Sequence, residues 1–434
     1  MRLRLPVFTA ACCAALWAPA AFAQSPAATA VTTLQQLEEL ALRRNPDLLA
    51  ARQRLAEAQG LLRQAGLRPN PSLEISFANG DVVASRGERQ LELGYSHPLE
   101  LAGKRGRRVE SARIQAELVQ MEIADRERLL RGQLRTLYIE SLAAAHSLRN
   151  AEELLALVQQ SYELIQARVR EGESPALDQS LLQVERNRIA SDRILLQGQL
   201  ERAILSLRSL ACLEDHEALE LPSTLLAGAV PGGAVMHLEQ ALERRPDLRA
   251  ARLQERLAEA ELELARAQAA PDLILTGRYA YQQTRLEGYA WATLNGPLAP
   301  IRDRDNLAAA GVSISLPIRN RNQGNIEAAI ARQRAARLRR EALERAVRQE
   351  VLAATSRYQT AQQALELFEK GVLDRASENL KIIRAAYEQG ELRLLDVVQE
   401  QRKLIEIQAA HTALLRDAAL AAAGLEIAVG GSIQ

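Results

Sequence analysis

Apolar positions follow two periods along this chain, and the two alternate in a fixed order. Leu73, Ile75 and Phe77 alternate with Ser72, Glu74 and Ser76, and Leu91, Leu93 and Tyr95 alternate with Glu92, Gly94 and Ser96. Much later Leu273, Leu275, Tyr279 and Tyr281 share one parity, and Ala310, Val312, Ile314 and Leu316 alternate with Gly311, Ser313 and Ser315. A period of two is the mark of a strand with one apolar face. The pattern predicts two hairpins, over 71–101 and 271–319, with strands of about 9–12 residues, long enough to cross a bilayer when tilted. The rest is helical. Leu148, Ala151, Leu155, Val158, Tyr162, Ile165 and Val169 are spaced by alternating threes and fours, and Leu373, Ala376, Leu380, Ile383 and Tyr387 repeat that spacing 218 residues on. This heptad seam packs helix on helix at a shallow angle.

Those long helices run without proline from Arg107 to Arg170 and from Gln323 to Glu388. At 1.5 Å per residue each spans roughly 100 Å, far beyond an ordinary globular helix. Helices of half that length are predicted before the hairpins (about 34–66 and 235–270) and after two sharp breaks (about 176–212 and 394–427). Thr33 or Thr32 is placed to cap the first, and Pro46 and Pro246 to bend or restart their helices. Two half-length helices stacked end to end match one long one, which makes a cylinder of uniform height.

The order is written twice. Residues 41–52 and 241–252 agree at nine of twelve positions, Arg54–Ala58 recurs as Arg256–Ala260, His97-Pro98-Leu99 matches Leu316-Pro317-Ile318, and Glu171–Asp178 matches Gln389–Asp396. A repeat of this kind signals a duplication. The division is a secretory signal over 1–23, a first repeat over 24–222, a linker over 223–233 and a second repeat over 234–434. Leu221 to Gly233, with Pro222, Gly228, Pro231 and Gly232, reads as a connector.

Composition changes the picture in three ways. Arg2 and Arg4, the apolar stretch Leu5–Phe22 and the closing Ala21-Phe22-Ala23 have the order of a signal peptide. A lipid anchor at Cys12 lacks the usual preceding leucine. Cleavage after Ala23 leaves 411 residues and moves the net charge from +1 to −1, against nucleic acid as a partner. Only Cys212 then remains, so no disulfide forms within the chain. Of the eleven aromatics outside the signal, six (Phe77, Tyr95, Tyr279, Tyr281, Tyr289, Trp291) fall in the hairpins, as at membrane interfaces. No apolar run outside the signal approaches a membrane helix.

Catalytic constellations are missing from the sequence. The histidines His97, His146, His216, His237 and His411 are scattered, and there is no Walker motif or nucleophile elbow. Cys212 and His216 are four apart, but two ligands do not make a metal site. No enzyme, cofactor or resident metal is expected.

Four strands in a bilayer must close with those of other copies, because every backbone polar group there needs a partner and the smallest single-chain barrels use eight strands. The number of copies stays open on this ground. The order, the repeat and the strand exits His97-Pro98-Leu99-Glu100-Leu101-Ala102-Gly103-Lys104-Arg105 and Leu316-Pro317-Ile318-Arg319-Asn320-Arg321-Asn322-Gln323-Gly324-Asn325-Ile326 resemble the TolC family of outer-membrane efflux channels, across the whole chain after the signal. The exits resemble its heavy-metal branch, the outer-membrane component of cobalt–zinc–cadmium efflux systems. That branch usually has Pro-Leu-Phe-Asp-Arg-Asn-Gln-Gly at the second exit, where this chain differs at Ile318, Arg319 and Asn320. The resemblance implies a homotrimer in outer-membrane lipid with twelve strands and a twelve-helix periplasmic tunnel. A periplasmic adaptor and an inner-membrane resistance-nodulation-division pump are its implied partners.

The resemblance also implies roles at the far end of the long helices. Gly172, Glu173, Ser174 and Asp178 with Gly390, Glu391 and Leu392 form the tip that meets the adaptor. Asp396, Gln399 and Glu400 lie at the aperture, where three-fold symmetry turns each carboxylate into a ring that favours cations. Asp178 and Asp396 have a second reading as negative charges near helix N-termini. A general drug or secretion channel on the same fold is the alternative function, and a soluble periplasmic coiled-coil scaffold the alternative of another class.

Overall fold

The computed structural model describes residues 33–80, 88–214, 217–222, 224–225, 228, 230–294 and 296–431. The signal segment, His216 and part of the linker lie outside the described residues. The elements run α1 (Leu34–Arg44), α2 (Pro46–Gly66), β1 (Ser72–Asn79), β2 (Arg89–Leu99), α3 (Lys104–Arg170), α4 (Ala176–Ala211), then α5 (Ala234–Arg244), α6 (Pro246–Gln268), β3 (Leu273–Trp291), β4 (Leu298–Ile314), α7 (Gln323–Phe368), α8 (Asp374–Glu388) and α9 (Leu394–Val429).

Local chemistry explains the boundaries. Thr33 and Gln36 cap α1 reciprocally, side chain to backbone at 3.3 and 3.2 Å. Pro46 starts α2 at its first turn while the Asn45 side chain accepts from Leu48 N at 3.1 Å. The segment expected as one helix over 34–66 is therefore two, and Pro246 splits its copy the same way. The second long helix is also interrupted: Glu369–Leu373 forms a π turn, so α7 and α8 replace the single helix expected from Gln323 to Glu388.

In the half nearer the strands the helices pack side by side as α2, α3, α6 and α7; in the other half as α4, α3, α9 and α8. Only α3 and the α7–α8 pair run the full height. Between the halves, α1 and α5 plug equivalent positions. Leu37 and Ala41 bury against Leu134 of α3 and Leu207 and Ala211 of α4, and Ala241 against Val347 and Val351 of α7 and Ala428 of α9. The ends of α4 and α9 match too, with Cys212 (φ +55) and Gly430 (φ +108) both left-handed, 218 positions apart.

Charged groups pin this waist. Arg245, 4% exposed, donates to Ala428 O at the end of α9 (3.0 Å) and pairs with Asp247 (2.7 Å) and Glu350 (2.8 Å). Burial opposes the charge on Asp247, but hydrogen bonds from Arg245 outweigh it and hold the carboxyl below its usual range. Arg128 adds a bond to Ile427 O at 2.9 Å, and Arg135 pairs with both Glu38 and Glu426.

The strands form one antiparallel sheet in the order β1-β2-β3-β4, so the hairpins of the two repeats join edge to edge through β2 and β3. β1 and β4 are left as open edges. Their lengths correct the expectation of 9–12 residues: β1 has 8, β2 has 11, β3 has 19 and β4 has 17. Past Gln283 the β3–β4 hairpin rises beyond β2 and carries Arg302 and Asp303, a polar sequence that hides its strand character.

Candidate functional site

Two ends of the molecule carry side chains of functional interest. At the sheet end, strand exits turn directly into the long helices. Gly103 (φ +69) and Asn322 (φ +60) hold the left-handed position that starts α3 and α7. Gly324 of the second exit lies inside α7, and Asn322 takes the turn because asparagine tolerates the left-handed conformation. Asn322 also donates from Nδ2 to Ala265 O at 2.8 Å, capping α6. In the first copy Arg105 and Arg108 do the equivalent, donating to Gly66 O (2.7 Å) and Ala65 O (3.0 Å) at the end of α2.

The register separates the faces of the sheet. Ile75, Leu93, Tyr279 and Ala308 lie in one row, and Leu73, Tyr95, Gly277 and Ala310 in another, all on one face. Leu73, Ile75 and Phe77 are each at least 65% exposed, as lipid-facing residues must be in a single chain. The opposite face carries Ser72, Glu74, Glu92, Ser96, Thr276 and Arg278, with Arg278 Nε 2.6 Å from Glu92. One face suits hydrocarbon and the other water. Among the described residues no helix is long and apolar enough to cross a membrane.

At the other end the two breaks lie together. Gly172 (φ +83) and Gly390 (φ +78) close α3 and α8 with the same pair of bonds: Gly172 N to Val169 O and Glu173 N to Arg168 O, Gly390 N to Tyr387 O and Glu391 N to Ala386 O. This is a Schellman motif at corresponding positions. Ile165, Leu182, Leu394 and Val398 form a small core beneath, flanked by Tyr162, Val169 and Tyr387. Gly172, Glu173, Glu391, Leu392 and Gln399 are exposed, and Ser174, Asp178 and Asp396 half-buried. Asp396 Oδ2 accepts from Arg393 N at 3.0 Å, a helix cap. Glu400 is buried and pairs with Lys403 at 3.1 Å.

One feature of the tip has no local sequence signal. Glu185 of α4 is 1% exposed; its Oε1 accepts from Arg188 and its Oε2 from Arg402 of α9, each at 2.7 Å. Burial opposes this charge, but the two arginines outweigh it and hold the carboxyl below 4.5. Beside it Tyr162 OH accepts from Gln179 at 3.2 Å, and Arg186 lies over the Tyr162 ring. The pair ties the α3–α4 coil to the α8–α9 coil. Among the described residues no group of three His, Cys, Asp or Glu could hold a metal ion.

A sheet apolar on one face and polar on the other, with open edges and carried on a row of helices about 100 Å tall, defines a subunit of an outer-membrane channel. The chain belongs to the outer membrane efflux protein family, whose profile matches residues 37–212 and 237–431, one match in each repeat. It is 25% identical over 406 residues to the cobalt-zinc-cadmium resistance protein CzcC of Cupriavidus metallidurans, covering 92% of this chain and 90% of that one. It is 28% identical over 399 residues to the outer membrane protein OprJ of Pseudomonas aeruginosa, covering 84% and 77%. The fold matches the solved structure of CusC with a TM-score of 0.73 at 23% identity, over 92% of each chain. The protein is thus an outer-membrane efflux channel, with its helices in the periplasm, and not an enzyme.

Proposed function

We propose that three copies close a twelve-stranded barrel above a twelve-helix tunnel. This is the outer-membrane exit of a tripartite efflux system that exports divalent heavy-metal ions. A resistance-nodulation-division pump and a periplasmic adaptor drive it, and the channel consumes no energy. The observation that carries the metal reading is the likeness to a cobalt–zinc–cadmium resistance protein along nine-tenths of both chains. A likeness of 25% over 437 residues to the pyoverdine export outer membrane protein OpmQ of Pseudomonas putida favours a second reading, a general drug or secretion channel.

The tip residues Gly172, Glu173, Ser174, Asp178, Gly390, Glu391 and Leu392 meet the adaptor, and Asp396 and Gln399 line the aperture, with Glu400 one turn from Asp396. The exposure of Gly172, Glu173, Gly390, Glu391, Leu392 and Gln399 supports this reading, whereas Ser174, Asp178 and Asp396 are half-buried and Glu400 is buried. Opening separates the two coils and breaks the Glu185–Arg402 pair. The deciding experiment deletes the gene and measures growth on zinc, cobalt, cadmium, nickel, copper and silver, with dyes and detergents alongside. Sensitivity to divalent metals alone supports the reading. Sensitivity to dyes and detergents alone keeps the channel and discards metal as its cargo.

A further inference from the structure

The upper part of β4 reads Arg302-Asp303-Arg304-Asp305, with alternating charge. In a strand, alternation in sequence is separation in space. The β3–β4 register puts Asp305 opposite Gln282 and Asp303 opposite Thr284, on the face that carries Glu92 and Arg278. Arg304 and Arg302 have the parity of Val312 and Ile314, the apolar face. Arg304 pairs with Gln283, which pairs in turn with Arg89 of β2, so Arg89 and Arg304 share one row. All three arginines are exposed.

Their height is fixed by counting. The apolar face begins at the row Leu99–Leu273–Ile314, beside the helices. Ten residues separate Leu99 from Arg89 and Ile314 from Arg304, roughly 33 Å along a strand. At a tilt of about 40° this is roughly 25 Å of height, the thickness of an outer-membrane apolar band. Arg89 and Arg304 therefore stand where hydrocarbon ends on the extracellular side, about 10 Å apart across the sheet, with Arg302 about 7 Å further up. The arginines face the surrounding lipid and the aspartates the water inside.

We infer that Arg89, Arg302 and Arg304 bind phosphate groups of the glycolipid in the outer leaflet. Arginine suits a phosphate through paired N–H donors, and the row stands one step above Leu91, Tyr281 and Asn306 on the lipid-facing side of the sheet. The inference rests on the barrel assembly proposed above, so trimer incorporation is scored separately from lipid retention.

The test reconstitutes the full-length protein in phosphatidylcholine nanodiscs with a trace of bis-phosphorylated glucosamine lipid or its dephosphorylated form. Glycolipid retained by the captured trimer is then quantified. Wild type is expected to prefer the phosphorylated lipid, and the preference to fall about fivefold for each arginine lost in Arg89→Gln, Arg302→Gln and Arg304→Gln. Asp303→Asn with Asp305→Asn, on the other face, leaves the preference in place. Equal retention of both lipids by wild type overturns the inference without any variant, and so does a preference that survives the triple substitution in assembled trimers. Failure of the wild type to enter nanodiscs as a trimer overturns the assembly instead.

Discussion

Replacing Arg402 by alanine tests whether the two coils are pinned shut at the tip. Oε2 of Glu185 would lose its partner while Arg188 still holds Oε1, so a carboxylate 1% exposed would be half satisfied. A hydrogen bond to a charged group contributes about 1.5–3 kcal/mol. The Arg402 side chain is 50% exposed, and solvent screening favours the low end, about 1.5 kcal/mol. Three such pairs in a trimer sum to about 4–5 kcal/mol, a shift of roughly a thousandfold in the opening equilibrium. Single-channel recording in planar bilayers reads this directly: Arg402→Ala is expected to open far more often than wild type. The sign of the pH dependence follows from the lowered carboxyl. Its contribution is complete above 4.5 and is lost as pH falls through the lower value in the closed tip. Wild-type conductance should stay flat from about pH 8 to 5 and rise only in more acid solution. Arg402→Ala trimers with wild-type currents would refute the pin.

Asp396→Ala is expected to raise closed-channel conductance or weaken cation preference; bilayer currents that match wild type at all salt gradients count against an aperture role. Gly390→Ala should destabilise the tip by about 1–2 kcal/mol from left-handed strain alone, since a Cβ there meets nothing. Gly390→Asn should recover much of this, read as proteolysis of the tip. Arg245→Met takes from the part-buried Asp247 its nearest cation and from Ala428 O its donor, and should lower stability by about 3 kcal/mol, seen in thermal unfolding. Leu134→Ala, fully buried among α1, α3 and α4, should cost about 3 kcal/mol by the same measure.

The parts legible in the sequence are those where one period persists. The seam through Val158 and Ile165 is buried as the heptad demands, as are Ala376 and Leu380 in the second copy. The strand faces follow from parity alone. The upper β3–β4 hairpin escaped because, above the lipid, its outward positions become arginines and the apolar alternation stops. The π turn at 369–373 carries no proline to mark it. The Glu185–Arg402 pair joins residues 217 apart on separate coils, and the charge of Glu185 reads as an ordinary solvated helix face until the packing of α4 on α9 is known. Asp396 shows the converse: its capping bond follows from local sequence, whereas an aperture role needs the other copies.

The open edges at β1 and β4 have a genetic consequence. A chain whose edge cannot pair fails as a partner as well as on its own, because unpaired backbone cannot remain in hydrocarbon. When such a chain is made alongside an equal amount of wild type and the two mix at random, roughly one trimer in eight contains only sound copies. Proline placed along β4, where it removes edge donors, would therefore act as a dominant poison of efflux in cells that still carry the normal gene.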